Sequence, residues 1–461
     1  MASFSFLSLL TLSLLFSAIH MSRQQPLESF EQESVYQVLD SINSQIPWRT
    51  LFPDDLCLSA PHGIFCDYFE DLNGVVSAHI VELNFGFVSD YNPNPPCTPD
   101  SALSPLLFTS FPRLAKLFFY KCFNGSTRVN LPGFDPNPNL ISSLKELVFI
   151  ENPSLVGPLS GILRNFTNLE RAVLSGNGFY GEIPDGVAEL SQLVELTVSR
   201  NELSGRVPDS ISNLKNLRIL DLSHNEFYGL IPKSVSELTQ LLKLDLSWNS
   251  FNGSIPESLK NLKSLHLLDL SFNRFTNSGI PLFLSEFESL REVYLSGNNL
   301  GGVIPEIWHG LRSLLGIGLS GNGLLGKIPS SMGIFLSNAS YIGLNDNMLE
   351  GTLPEELNLL ENVNELNLKN NRLSGRVPFS AKFSAKIGSK LKLEGNPDLC
   401  IEEGLMGSKN LGHLKVCDKP SILNPVLLVN SGDSISSTYS VSKYFGWYFS
   451  MGLLGMLVWF Y

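Results

Sequence analysis

Apolar positions recur along most of the chain in one pattern, L-x-x-L-x-L-x-x-N. Residues 217–240 (LRILDLSHNEFYGLIPKSVSELTQ), 241–264 (LLKLDLSWNSFNGSIPESLKNLKS) and 265–289 (LHLLDLSFNRFTNSGIPLFLSEFES) are near copies of one another. One asparagine marks each copy, at Asn152, Asn177, Asn201, Asn225, Asn249, Asn273, Asn298, Asn322, Asn347, Asn371 and Asn396, in steps of 24 or 25 residues. Alternation within L-x-L predicts a short strand with its leucines inward and the intervening residues outward. One such unit cannot bury its own apolar side, so successive units must stack into a continuous core beneath a parallel sheet. The asparagine falls where the chain turns inward, where its amide can satisfy backbone groups left unpaired. A second signature, L-x-G-x-I-P, follows it, as in Leu203 to Pro208, and recurs at Gly181–Pro184, Gly229–Pro232, Gly253–Pro256, Gly302–Pro305, Gly326–Pro329, Gly351–Pro354 and Gly375–Pro378. Glycine there permits a change of backbone sign, and proline removes a donor where no ladder partner exists.

Composition changes this picture little. Hydrophobic residues make up 43% of the 461, enough apolar surface to exclude disorder throughout. With 32 Lys+Arg against 44 Asp+Glu the net charge is −12, which argues against a phosphate-tracking surface and so against nucleic acid as a partner.

The six cysteines fall into two terminal groups. Cys57–Cys66 and Cys400–Cys417 are the expected staples, and Cys97–Cys122 follows by elimination. The alternative is that Cys122, which stands at the asparagine position of an irregular early repeat, is an unpaired ladder residue. No tight C-x2-C pair is present to suggest zinc. Sequons at Asn124, Asn165, Asn252 and Asn338 are candidate glycan acceptors.

The repeat resembles the leucine-rich repeat, and its L-x-G-x-I-P subtype is similar to the extracellular repeats of plant receptor kinases and receptor-like proteins. The edges are similar too. Gly63-Ile64-Phe65-Cys66 after Cys57 resembles that family's N-terminal cap, although Pro61-His62 stands where a Trp is usual, and Gly395-Asn396-Pro397-Asp398-Leu399-Cys400 resembles its C-terminal cap. The overall plan is nearest to the short, kinase-less group that includes Too Many Mouths and the Piriformospora indica-insensitive proteins. The resemblance implies a leucine-rich-repeat solenoid, a right-handed curved superhelix. Its parallel β-sheet would line the concave face, short 3-10 or irregular segments the convex face, and disulfide-stapled caps would close both ends. The expected organisation is a signal peptide (1–22), an N-terminal cap (23–80), about 11–12 repeats (81–396), a C-terminal cap (397–417), a polar spacer (418–443) and a hydrophobic tail (444–461).

The two ends support secretion. Residues 4–19 (FSFLSLLTLSLLFSAI) read as a secretory h-region. At the other end, residues 444–461 (YFGWYFSMGLLGMLVWFY) follow small residues at Asn430-Ser431-Gly432 and a polar stretch. That order fits a glycolipid-anchor signal, with attachment at Asn430 or Ser431, better than a membrane span flanked by cytoplasmic basic residues.

Chemistry is sparse. Gly316-Ile317-Gly318-Leu319-Ser320-Gly321 matches G-x-G-x-x-G, but these glycines fall at strand positions expected to be exposed, not at a helix start, so no dinucleotide site is expected. The seven histidines show no nucleophile–base arrangement, and no enzyme activity, cofactor or metal is expected. Binding is the remaining function. Residues flanking the inward leucines should line the concave face in columns. One column reads Asp221, Asp245, Asp269, Tyr294, and the next reads His224, Trp248, Phe272. Exposed aromatics in neighbouring repeats are the anchors that interfaces favour, so His224, Trp248 and Phe272 are the leading candidate partner site, with the aspartates and Tyr294 beside them. The resemblance implies a cell-surface protein that binds an extracellular peptide or protein ligand, a leucine-rich-repeat receptor kinase, or both. The alternative is a secreted cell-wall inhibitor similar to polygalacturonase-inhibiting proteins.

Overall fold

The computed structural model describes residues 24–86, 94–133, 142–276, 278–403, 411 and 414–418. The expected leader, the spacer beyond Asp418, the 444–461 run, and Asn430 and Ser431 lie outside the described residues.

The described residues up to Cys417 form a solenoid. Each repeat adds one strand to a sheet of fifteen, parallel throughout except for Ile64–Glu70, which runs antiparallel to Val76–Phe85. Parallel register holds like positions side by side: Leu220 beside Leu244, Leu244 beside Leu268, and Leu268 beside Val293. These side chains are fully buried, so successive repeats share one core. Across the core from the sheet run 3-10 helices such as Asp209–Asn213, Lys233–Glu237 and Glu257–Asn261. Each is preceded by the proline of the second signature, which has no N–H to leave unpaired at the helix start, and each buries one apolar side chain (Ile211, Val235, Leu259). Between the two walls, Phe179, Phe227, Phe251 and Phe275 are buried in four repeats, with the rings of Phe227 and Phe251 stacked at 6.3 Å.

The asparagines close the turns. The Asn249 amide donates to the carbonyls of Leu222 (2.9 Å), Leu246 (3.2 Å) and Ser247 (3.1 Å), and its oxygen accepts from the Phe227 N–H at 3.0 Å. Each asparagine thereby ties its own repeat to the one before it. The pattern breaks once: the Asn322 side-chain oxygen is buried without a partner, in the stretch where the flanking sheet is interrupted between Arg274–Phe275 and Leu325–Gly326.

Both ends are sealed. At the N-terminal end the helix Ser29–Ile42 buries Val35, Val38, Leu39 and Ile42 against the first strands, and the buried Glu31 carboxylate accepts from the Ile80 N–H at 3.0 Å. Three disulfides are present, Cys57–Cys66, Cys97–Cys122 and Cys400–Cys417, with Cα separations of 5.5, 5.1 and 4.9 Å. Cys122 is therefore bridged, and the unpaired alternative does not hold. Its turn is still satisfied, because the Asn152 oxygen accepts from the Cys122 and Phe123 amides. Among the described residues no helix is long and apolar enough to cross a membrane.

Replacing Asn249 by Ala orphans the Phe227 amide and removes one of two donors at each of the Leu222, Leu246 and Ser247 carbonyls, which keep the Asn225 amide, the Asn273 amide and the His224 N–H. We expect a loss of about 1–3 kcal/mol, read as a lower denaturant midpoint in equilibrium unfolding. A change at the exposed Asn216 should shift it far less.

Candidate functional site

The residue between the two inward leucines of each strand projects from the concave face, and the register lines these residues up as Thr197, Asp221, Asp245, Asp269, Tyr294 and Gly318. Each aspartate is first engaged within its own strand. The Oδ1 atoms of Asp221, Asp245 and Asp269 accept from the hydroxyls of Ser223, Ser247 and Ser271 at 2.7, 2.7 and 2.5 Å. D-L-S is thus partly a backbone-bracing device. The outer carboxylate oxygens differ more. Lys243 reaches Asp221 Oδ2 at 2.7 Å and Asp245 Oδ2 at 3.5 Å. Burial works against its ammonium, but the hydrogen bond and charge of Asp221, with Asp245 behind them, outweigh it and hold the lysine above its usual pKa. Among the described residues no cation pairs with Asp269, and burial pushes its carboxyl up to about 6 against the pull of Ser271.

Three residues beyond these aspartates, past the strand ends, come His224, Trp248 and Phe272. Their backbones are left-handed, with φ of 54°, 54° and 53°. This is an uncommon conformation for bulky side chains, and it turns them out at the rim of the sheet. The rings stack like coins along the solenoid axis: His224 on Trp248 at 5.4 Å, and Trp248 on Phe272 at 4.0 Å, each pair 20° from parallel. Gly297 lets the stack end flush, since a Cβ there would lie 2.6 Å from the Phe272 ring. Trp248 and Phe272 remain 49% and 43% exposed, large apolar surfaces for a soluble face.

Both columns border one concave depression of about 380 Å³, lined by residues that include Glu151, Asp221, His224, Asp245, Trp248 and Asp269. It gathers five of the expected partner-site residues. Phe272 joins through its stacking on Trp248, and Tyr294 continues the aspartate column. One expectation is corrected. Gly316 and Gly318 are buried rather than exposed, because Tyr294 of the preceding strand lies over them. The structure also brings Glu31, distant in sequence, into line with two groups of one strand: Ser77 Oγ lies 3.0 Å from His79 Nε2, and His79 Nδ1 lies 2.6 Å from Glu31 Oε1. Glu31 also holds the Ile80 amide, so this line joins the cap helix to the sheet. Of the sequons, Asn124, Asn252 and Asn338 are exposed, whereas Asn165 is half-buried and donates to the Gly161 carbonyl at 2.7 Å.

The "Leucine rich repeat" family models match residues 167–227, 240–262 and 289–311. With the periodic sheet and asparagine ladder, these matches identify the repeat. The chain folds as a leucine-rich-repeat solenoid. It is similar to plant receptor-like proteins of Arabidopsis thaliana: 34% identical over 183 residues to Piriformospora indica-insensitive protein 2, covering 38% of this chain and 41% of that one, and 35% identical over 143 residues to TOO MANY MOUTHS, covering 31% and 27%. The matched region thus spans less than half the length of either relative. Among solved structures it is similar to the ectodomain of the Arabidopsis receptor kinase HAESA in complex with an IDA peptide hormone (31% identity, TM-score 0.55, 65% of this chain and 48% of that one).

The raised Asp269 has a stability consequence for the solenoid. Below about pH 4 the carboxyl is protonated whether folded or unfolded, and it costs nothing. Between about pH 4 and 6 the folded form holds the proton more tightly, so stability falls as pH rises and the full penalty stands above pH 6. Asp269→Asn, which can still accept from Ser271, should stabilise the protein at pH 7.5 by on the order of 1–3 kcal/mol, allowing for solvent screening. The gain should vanish below about pH 4, as read from paired denaturation curves across that range.

Proposed function

We propose that this leucine-rich-repeat protein acts at the cell surface as a receptor-like protein. It binds an extracellular peptide or protein ligand, a leucine-rich-repeat receptor kinase, or both, through the concave depression and its aromatic rim, and it catalyses no reaction. The observation that carries this reading is the stack of His224, Trp248 and Phe272, exposed on the border of a concave depression. Aromatic anchors beside a polar hollow are what interfaces use to concentrate binding energy. Similarity to an ectodomain solved with a peptide hormone supports it. The secretory leader and membrane anchor expected from sequence belong to the same reading.

Trp248→Ala removes rim surface without opening the core, so secretion and thermal unfolding should stay as in the wild type. Capture of receptor-kinase ectodomains or extracellular peptides by the purified full chain should weaken by more than about tenfold. Unchanged capture would remove the rim from the partner site.

The sequons give a second check. Glycosidase treatment of the secreted protein should show a mobility step lost in Asn252→Gln, whose site is exposed on the flanking strand Ser250–Gly253. Asn165→Gln should change the pattern least, because among the four sequons its asparagine is the half-buried one.

A further inference from the structure

Two independent features meet at the edge of the depression. The first is a carboxylate without a counter-ion. Asp221 and Asp245 share Lys243, whereas Asp269 bonds, among the described residues, only to the hydroxyl and amide of Ser271. The second is an aromatic ring beside it. Tyr294 pairs in register with Asp269 on one side and with Gly318 on the other. The next strand has no side chain to lift the ring: a Cβ at Gly316 would stand 2.6 Å from the Tyr294 hydroxyl, and one at Gly318 would stand 2.9 Å from its ring. The hydroxyl donates to Glu292 Oε2 at 2.9 Å, which holds the ring down, and Tyr341 continues the paving with its centroid 6.4 Å away.

Tyr294 thus lies over the glycine strand and stays half-exposed. An aromatic face carries negative charge density and attracts cations, and here a carboxylate stands next to it. The rim stack differs. His224, Trp248 and Phe272 cover one another's faces and offer a partner their edges, which suit apolar contact better than a cation.

We propose that Asp269 and Tyr294 form a subsite for a guanidinium or ammonium side chain of an extracellular peptide, while an apolar residue of that peptide packs against the edges of Trp248 and Phe272. This rests on the proposed function above and gives the ligand its chemistry: a segment with one basic and one apolar residue. The basic group would supply the charge that the Asp269 carboxylate lacks.

The test uses the purified full chain and an acetylated, amidated hexapeptide library of random sequence. The wild type should retain peptides enriched in Arg or Lys at one position and in apolar residues at another. Asp269→Asn should lose the basic preference and keep the apolar one, and Trp248→Ala should do the reverse. A retained peptide resynthesised with citrulline for arginine should bind the wild type about tenfold more weakly and bind Asp269→Asn within about twofold of the arginine form. Tyr294→Leu, checked for wild-type thermal unfolding, should narrow the arginine–citrulline difference in the same direction. Peptides retained through Trp248 without basic enrichment, or with an enrichment that survives in both Asp269→Asn and Tyr294→Leu, would overturn the subsite while leaving the proposed function standing. Retention of no peptide by the wild type would overturn the subsite together with the peptide-binding part of that function.

Discussion

The structure depends on how one asparagine per repeat solves the problem of a chain turning into an apolar interior. A tight turn strips water from backbone carbonyls and amides that no helix or ladder can pair, and each orphan costs as much as several buried methylenes gain. Asn249 answers with three donations and one acceptance, and one of those donations reaches back into the preceding repeat. Closure of one turn therefore requires its neighbour, and the core is built by propagation rather than by collapse around a centre. It follows that the ends need special chemistry, since the last repeat has nobody to complete it. The disulfides and the buried Glu31 supply it.

Most of this architecture was legible because it is periodic. Eleven asparagines at steps of 24 or 25 residues define the register, and register fixes which residues share a column. His224, Trp248 and Phe272 could be placed side by side for that reason alone. The pairing of Cys97 with Cys122 was harder. It lies in the irregular stretch where the period is lost, and elimination competed with a ladder role for Cys122 that sequence could not dismiss.

What could not be read depends on side chains crossing between strands. The glycines of Gly316-Ile317-Gly318 look exposed by their place in the repeat, yet Tyr294 from the strand before folds over them. Nothing in the local sequence says which way that ring falls. The three aspartates are equivalent in L-D-L-S, and they part company only because position 243 is Lys, with Leu267 at the same place in the next strand. The contact of Ser77, His79 and Glu31 likewise joins a helix to a strand across 48 residues.

The coin-like stacking at the rim bears on how docking would proceed. A lone surface tryptophan samples several rotamers, and an incoming molecule must arrest it before gaining from the contact. Here each indole or phenyl plane is wedged by its neighbour and the last by a bare glycine, so the rotamers are settled while the protein is still unbound. Such a surface is stiff in advance. It should favour visitors whose own shape is equally fixed, and it leaves little room for adaptation to ill-fitting ones.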